Sequence, residues 1–285
     1  MADWLSEMID RERLPASFAG QVEALWAPIA EGIAQAAAGQ GAGFVAALCG
    51  AQGSGKSTAC MAIAGLLGDR GLKVARLSLD DLYLTRIERQ VLTTHVHPLL
   101  ATRGPPGTHD VTLGLDVLDG LGRAGTTLMP RFRKALDDRG EPEPFEGPAD
   151  IVLFEGWCVG ARAQLPKALD EPVNELERQE DPDGAWRRYV NDALHGPYQD
   201  LFARIGWTCL LAAPSFEAVR TWRVEQEAKL RARLARDGVE GRAMSEGEVV
   251  RFIAHYERLT RYILAEMPPR ADRVLRLADD RSPAP

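Results

Sequence analysis

The sequence predicts an α/β fold of the P-loop NTPase type: an open, mostly parallel sheet with helices on both faces and a helical lid or insertion. Three features of the chain point there. Residues 50–57 read G-A-Q-G-S-G-K-S, a complete G-x-x-x-x-G-K-[ST] phosphate-binding loop. An apolar run at 44–49 precedes it and a helix-forming stretch at 58–67 follows, the strand–loop–helix setting that separates a working loop from a chance match. Apolar strand-like runs then recur between helical stretches, at 73–79, 151–154, 208–213 and 273–277.

The remaining elements follow in order. Residues 1–40 are expected to be helical, with Ser17 as a cap, Val22, Leu25, Trp26, Ile29 and Ile33 on one apolar face, and Pro28 as a kink or a true start. The helix after the phosphate loop ends near Gly68 and Gly71, and the strand at 73–79 completes a β-α-β unit. Residues 80–110 read as irregular and polar, 112–122 as an amphipathic helix, and 126–130 as a short extended piece. The segment 135–148 carries three prolines and many charges and reads as a solvated loop. Residues 160–205 read as an insertion of helices and loops. A long charged helix spans 216–234, a loop 237–244, and a second helix 245–267 with a capping box at Ser245 and Glu248. Residues 279–285 read as a flexible tail. The whole, 1–285, is expected to form one domain with 1–40 as its N-terminal helical segment.

Composition narrows the function classes. The 285 residues are 45% hydrophobic and 26% charged, which suits a chain with a sizeable core. A net charge of −7 without a basic run argues against nucleic acid as a partner. No apolar stretch approaches the ~20 residues of a bilayer span, and acidic Asp3, Glu7 and Asp10 do not fit a secretory signal. Cys49, Cys60, Cys158 and Cys209 are scattered, which fits thiols in a reducing cytoplasm.

In such a sheet the site lies beyond the carboxyl ends of the strands. The loop residues Gly50, Gly53, Ser54, Gly55, Lys56, Ser57 and Thr58 are expected to hold the phosphates of ATP. Lys56 reaches the β and γ phosphates and Ser57 ligates Mg²⁺. Asp80 and Asp81 follow the second strand directly. A carboxylate there can take a proton from an acceptor hydroxyl, join the metal site, or cap a turn; Asp80 is taken as the base. Glu155 closes an apolar strand in a Walker-B-like position and can hold Mg²⁺ or bond loop amides. The Gly/Pro-rich segment ending at Asp110 can present Arg103, His109 and Asp110 to a ligand, or His109 can simply serve a turn. Arg131, Arg133 and Lys134 suit a substrate carboxylate or phosphate, or a solvated basic loop. Arg220 or Arg223 can act as a lid arginine over the γ-phosphate, with surface ion pairing as the alternative. Arg223 is taken for that role.

Together these segments resemble a known family. The phosphate loop, S-L-D-D-L-Y ending at Tyr83, R-G-P-P-G-T-H-D ending at Asp110, L-M-P-R-F ending at Phe132 and L-F-E-G-W ending at Trp157 stand in the order seen in D-glycerate 3-kinases of the plant and fungal type. Those enzymes are similar to the wider phosphoribulokinase, uridine kinase and pantothenate kinase group. The resemblance runs from about residue 44 to 278. It implies Asp80 as catalytic base and Asp81, Tyr83, Arg103, His109, Asp110 and Arg131 around a small acceptor, a hydroxy acid, with D-glycerate the first choice. Two positions depart from the family: Leu82 replaces an aromatic, and Arg133 replaces an aspartate and could favour a more anionic acceptor. The alternatives are a kinase of the same fold for a nucleoside, a pantothenate-like acid or a sugar, and a regulatory NTPase without an acceptor.

Overall fold

The structure, a computed structural model, describes residues 2–237 and 243–284. Helix α1 (Asp3–Glu12) is followed by α2 (Phe18–Gln21), one wide π turn (Val22–Trp26) and α3 (Ala27–Ala37) in a continuous run. Pro28 sits in the first turn of α3, where its missing N–H would have no helical partner anyway. Ser17 makes no capping bond, because its own backbone is already helical (φ −63°, ψ −14°).

Strand β1 (Phe44–Gly50) leads through the phosphate loop into α4 (Lys56–Gly68), and β2 (Val74–Ser78) follows. The stretch read as irregular contains α5 (Arg86–His95), started by a capping box between Thr85 and Glu88. Helix α6 (Val111–Leu121) comes next, capped by the Asp110 carboxylate.

The segment read as a solvated loop folds instead into two antiparallel ribbons. Strand β3 (Gly125–Met129) pairs with β6 (Glu143–Gly147), and between them β4 (Phe132–Arg133) pairs with β5 (Asp138–Arg139). Pro144 is tolerated because a two-stranded ribbon leaves one edge of each strand unbonded.

Strand β7 (Ile151–Gly156) is buried along its whole length. Residues 160–205 carry α7 (Glu175–Glu180), α8 (Ala185–His195) and α9 (Pro197–Phe202). Then come β8 (Ile205–Ala212), the long α10 (Phe216–Asp237), α11 (Glu246–Glu266) with the expected Ser245–Glu248 capping box, and β9 (Arg273–Arg276). The loop expected at 237–244 falls largely outside the described residues.

Five strands form one parallel sheet in the order β2-β7-β1-β8-β9. The two central strands, β1 and β7, are almost entirely apolar and buried, as a sheet covered on both faces requires. The register aligns the strand ends: Ser78 lies beside Glu155, and Glu155 beside Leu48, two residues before the phosphate loop. Polar groups that follow these strands therefore emerge along one rim of the sheet. Among the described residues no helix is long and apolar enough to cross a membrane.

The tail does not fray over residues 279–284. Leu277 and Pro283 form a bridge, the Ala278 N–H bonds the Ser282 carbonyl, and the Trp222 Nε1 bonds the Asp279 carbonyl at 2.5 Å. Short-range sequence shows the polarity of this segment but not the surface waiting for it.

Candidate active site

The donor end is built from backbone. Gly53 (φ +79°) and Gly55 (φ +85°) take left-handed conformations that side chains disfavour, which lets the loop turn sharply into α4. A side chain at Gly53 would also collide with Trp222, whose Cβ stands 2.7 Å from where a Cβ would sit. The first N–H groups of α4 have no intrahelical partners, so with the loop amides they form an anion cradle capped by Lys56.

Beside the cradle, the Ser57 hydroxyl donates to Glu155 Oε1 at 2.9 Å and Ser78 donates to the same oxygen at 3.1 Å. Glu155 is buried, and its Oε2 has no partner. An orphaned carboxylate oxygen next to a hydroxyl is a hard-oxygen donor set of the kind Mg²⁺ takes. Among the described residues no cluster of three or more His, Cys, Asp or Glu could hold a metal by itself, so such an ion would draw its other oxygens from phosphate and water.

Asp80 and Asp81 sit in a short 3₁₀ turn, Leu79–Leu82, after β2; the Ser78 hydroxyl accepts the Asp80 N–H. The two carboxylates face different partners. Asp80 accepts from the Tyr83 hydroxyl at 2.7 Å and from Lys134 Nζ at 2.6 Å. Burial opposes its charge, but Lys134, Lys56 and those hydrogen bonds outweigh it and hold the carboxyl well below the usual range. Asp81 accepts from the Phe132 N–H at 3.0 Å and from Arg131 at 3.2 Å. Burial raises its pKa more than these contacts lower it. Asp81 thus clamps the β4–β5 ribbon, whereas Asp80 is held by side chains that can exchange.

The loop from Arg103 to Asp110, expected at the acceptor, is held by several contacts. Gly104 (φ +120°) has the Tyr256 hydroxyl 2.0 Å from where a Cβ would lie, and Trp157 Nε1 donates to its carbonyl at 3.0 Å. The Tyr256 hydroxyl donates to the Arg103 carbonyl at 2.8 Å. His109 is buried with its ring stacked on Tyr83, centroids 4.7 Å apart, and its Nδ1 meets the Tyr198 hydroxyl at 2.6 Å. That hydroxyl also accepts the Gly107 N–H at 2.9 Å, and His109 Nε2 is buried without a partner. Burial lowers the His109 pKa to about 3, leaving the ring neutral at physiological pH. Asp110, expected at the acceptor, caps α6 and pairs with Arg139 at 2.9 Å.

The β4–β5 ribbon delivers the cations. Arg131 bridges Asp81 and Glu143, Lys134 meets Asp80, and Arg139 meets Asp110. Asp137, in the turn of the ribbon, pairs with Arg103 and with the buried Arg89. Arg133 instead lies along Gly140, while its neighbour Phe132 packs edge-on against Tyr83. A cleft of about 330 Å³ runs from Ser57, Ser78 and Glu155 past Asp81 to Arg131 and Arg76. Arg223 is engaged elsewhere: it pairs with Glu227 at 2.7 Å and lies over the Phe252 ring. Arg220 lines a separate groove between α7, α10 and α11. The ion-pair reading thus describes Arg223 in this conformation.

Comparison of the sequence and the fold with known proteins places the chain among kinases. No family model matches the chain. A kinase of Schizosaccharomyces pombe, described as the uncharacterised kinase mug58, is 32% identical over 229 residues, spanning 76% of this chain and 79% of that protein. The chloroplastic D-glycerate 3-kinase of Arabidopsis thaliana is 34% identical over 227 residues, 72% of this chain but 44% of that protein. The solved D-glycerate 3-kinase of Cryptococcus neoformans superposes with a TM-score of 0.67 at 28% identity, covering 85% of this chain and 88% of that one. The chain belongs to this family of P-loop kinases. It is an ATP-dependent kinase.

Several pairings around the kinase's site escape sequence reasoning. Lys134 touches Asp80 across 54 positions, Tyr198 touches His109 across 89, and Tyr256 touches Arg103 across 153. One signal was available: an ionised aspartate in a half-buried turn needs a cation, and Lys134 stands three residues beyond Arg131.

Proposed function

We propose that the kinase phosphorylates D-glycerate at its 3-hydroxyl, giving 3-phosphoglycerate and ADP. The observation that carries the reading is Asp80, an ionised carboxylate set within the field of both Lys56 on the phosphate loop and Lys134 on the ribbon. The names of two relatives, both D-glycerate 3-kinases, support the choice of acceptor.

Lys56 and the amides of the phosphate loop hold the β and γ phosphates of ATP. Ser57 and Glu155 would hold Mg²⁺, which when bound would neutralise charge on those phosphates. The acceptor's carboxylate lies against Arg131 and draws Lys134 from Asp80. The free Asp80 oxygen then accepts the proton of the 3-hydroxyl as that oxygen bonds the γ-phosphorus and the bond to the β,γ-bridging oxygen breaks. The transition state of such transfers is loose, so the proton moves late and a strong base is unnecessary; an ionised carboxylate suffices. His109 is neutral, and its buried, unpartnered Nε2 is the ring nitrogen left to meet a polar group of the acceptor. Tyr83 and Arg103 line the same end. Arg133 lies along Gly140 and does not line the cleft beside Asp81 and Arg131, and we read this departure from the family as compatible with glycerate.

We read the chain as one kinase unit, and the four cysteines, free and buried, fit a cytoplasmic setting. Coupled ADP release tests the acceptor directly: turnover is expected with D-glycerate and not with nucleosides, pantothenate or hexoses. No turnover with glycerate beside good turnover with another acceptor would overturn the assignment.

A further inference from the structure

We propose that Arg281, in the turn after β9, is a positioning residue for the nucleotide phosphates, acting through the Gly53–Ser54 peptide. The inference rests on the reading of residues 50–57 as the ATP site. Arg281 Nε donates to the Gly53 carbonyl at 2.8 Å. The N–H of the same peptide, on Ser54, donates to the Ala51 carbonyl at 3.2 Å. A trans peptide is planar, and its C=O and N–H point in opposite directions. With both ends engaged, the plane cannot rotate. That fixed plane aims the next amides, those of Gly55, Lys56 and Ser57, toward the anion cradle.

The guanidinium is itself held. Its Nη2 meets Glu225 on α10 at 2.7 Å, and its plane lies over the Trp222 ring, 5.2 Å from the centroid. Trp222 is fully buried against Gly53 and bonds the Asp279 carbonyl at 2.5 Å. Arg281 adopts φ +70°, a left-handed conformation that costs energy for any residue other than glycine. The turn that imposes it is closed by Arg281 N–H to the Ala278 carbonyl and Ala278 N–H to the Ser282 carbonyl. A strained backbone that delivers a side chain to one carbonyl of the phosphate loop is the mark of a positioned group. Through Trp222 and Glu225 the contact also ties the loop to the long helix α10.

Isothermal titration with ADP, together with initial rates in which ATP and the acceptor are varied separately, tests this. Losing a charge-assisted hydrogen bond on the loop should weaken ADP binding by Arg281→Ala about tenfold. The KM for ATP should rise in step while the KM for the acceptor stays within about twofold. Arg281→Lys, which can still donate to the Gly53 carbonyl, should recover part of the loss. Glu225→Gln, which leaves that bond in place, should change ADP affinity by no more than about twofold. If Arg281→Ala does not fold, Arg281→Gln carries the test with the same expectation. Unchanged ADP affinity, or an equal rise in both KM values, would overturn the inference, as would a lower melting temperature with nucleotide binding intact. Failure of the underlying site reading looks different: the unaltered kinase would then not bind ADP, or its Lys56→Met variant would bind ADP as tightly as the unaltered kinase.

Discussion

The two ends of the transfer site are built from different material. The proposed donor end is eight consecutive residues that offer main-chain amides and left-handed glycines, with Lys56 and Ser57 adding one charge and one hydroxyl. The acceptor end is an assembly of side chains from separate segments: Asp80 and Asp81 after β2, Arg103 to Asp110 before α6, Arg131 to Arg139 on the ribbon, and Tyr198 and Tyr256 from distant helices. A site made of local backbone is rigid as soon as its strand and helix form. One made of exchangeable ion pairs can yield its partners to an incoming anion. The difference teaches that a common donor site can serve many acceptors, because specificity resides in the part that tertiary structure assembles.

Variants can break this contrast, starting with the chemistry that joins the two ends. Asp80→Asn should lower kcat by about 10²–10⁴-fold, the usual contribution of a positioned base, with ADP affinity retained in a calorimetric titration. Activity near that of the unaltered kinase would remove Asp80 from the mechanism. At the donor end, Lys56→Met should cost about 10²–10³-fold in kcat/KM for ATP, and nucleotide binding should fall with it. At the acceptor end, Gly104→Ala forces a side chain against the Tyr256 hydroxyl at a φ that opposes it. A loss of about 2–3 kcal/mol in a denaturant melt is expected, together with a higher KM for the acceptor and an unchanged KM for ATP.

Lys134→Met sharpens the contrast through pH. Lys134 is the leading charge that keeps Asp80 ionised; Lys56 and the Tyr83 hydroxyl remain when it is removed. Loss of a cation raises a carboxyl pKa, so the acid limb of kcat/KM should move to higher pH, with an acceptor KM about tenfold higher. The stability from Asp80 is complete above the unfolded carboxyl value and is lost as pH falls through the depressed folded value. In the variant the loss still begins near the unfolded value but should be smaller and complete at higher pH, which acid titration followed by circular dichroism would reveal. An acid limb that stays in place would dissociate Lys134 from the base. Arg133→Asp, which restores the residue common in the family, should change no kinetic parameter by more than about twofold, since Arg133 lies along Gly140. A larger change would bring it back into the acceptor site.

Much of the fold was legible because it is local. The phosphate loop, its flanking strand and helix, the buried runs of β7 and β8 and the Ser245 capping box each depend on residues close in sequence. The two ribbons were not, since each pairs across a turn with charged and proline-containing strands that lack a clean alternation. Helix α5 escaped because its apolar face is thin, although Thr85 and Glu88 spell its start.

The chain by itself determined a complete phosphate-loop motif at residues 50–57 between a strand and a helix, and carboxylates after the neighbouring strands, because glycine torsions and strand ends are properties of short segments. Only the tertiary structure decided how those carboxylates differ. Lys134 reaches Asp80 while a backbone amide claims Asp81; Tyr198 engages Nδ1 of His109; Arg281 returns from beyond the last strand to grip the phosphate loop. Each of these depends on a charge or a hydrogen bond between residues far apart in the chain, and such a pairing exists only once the sheet has brought the segments to one rim.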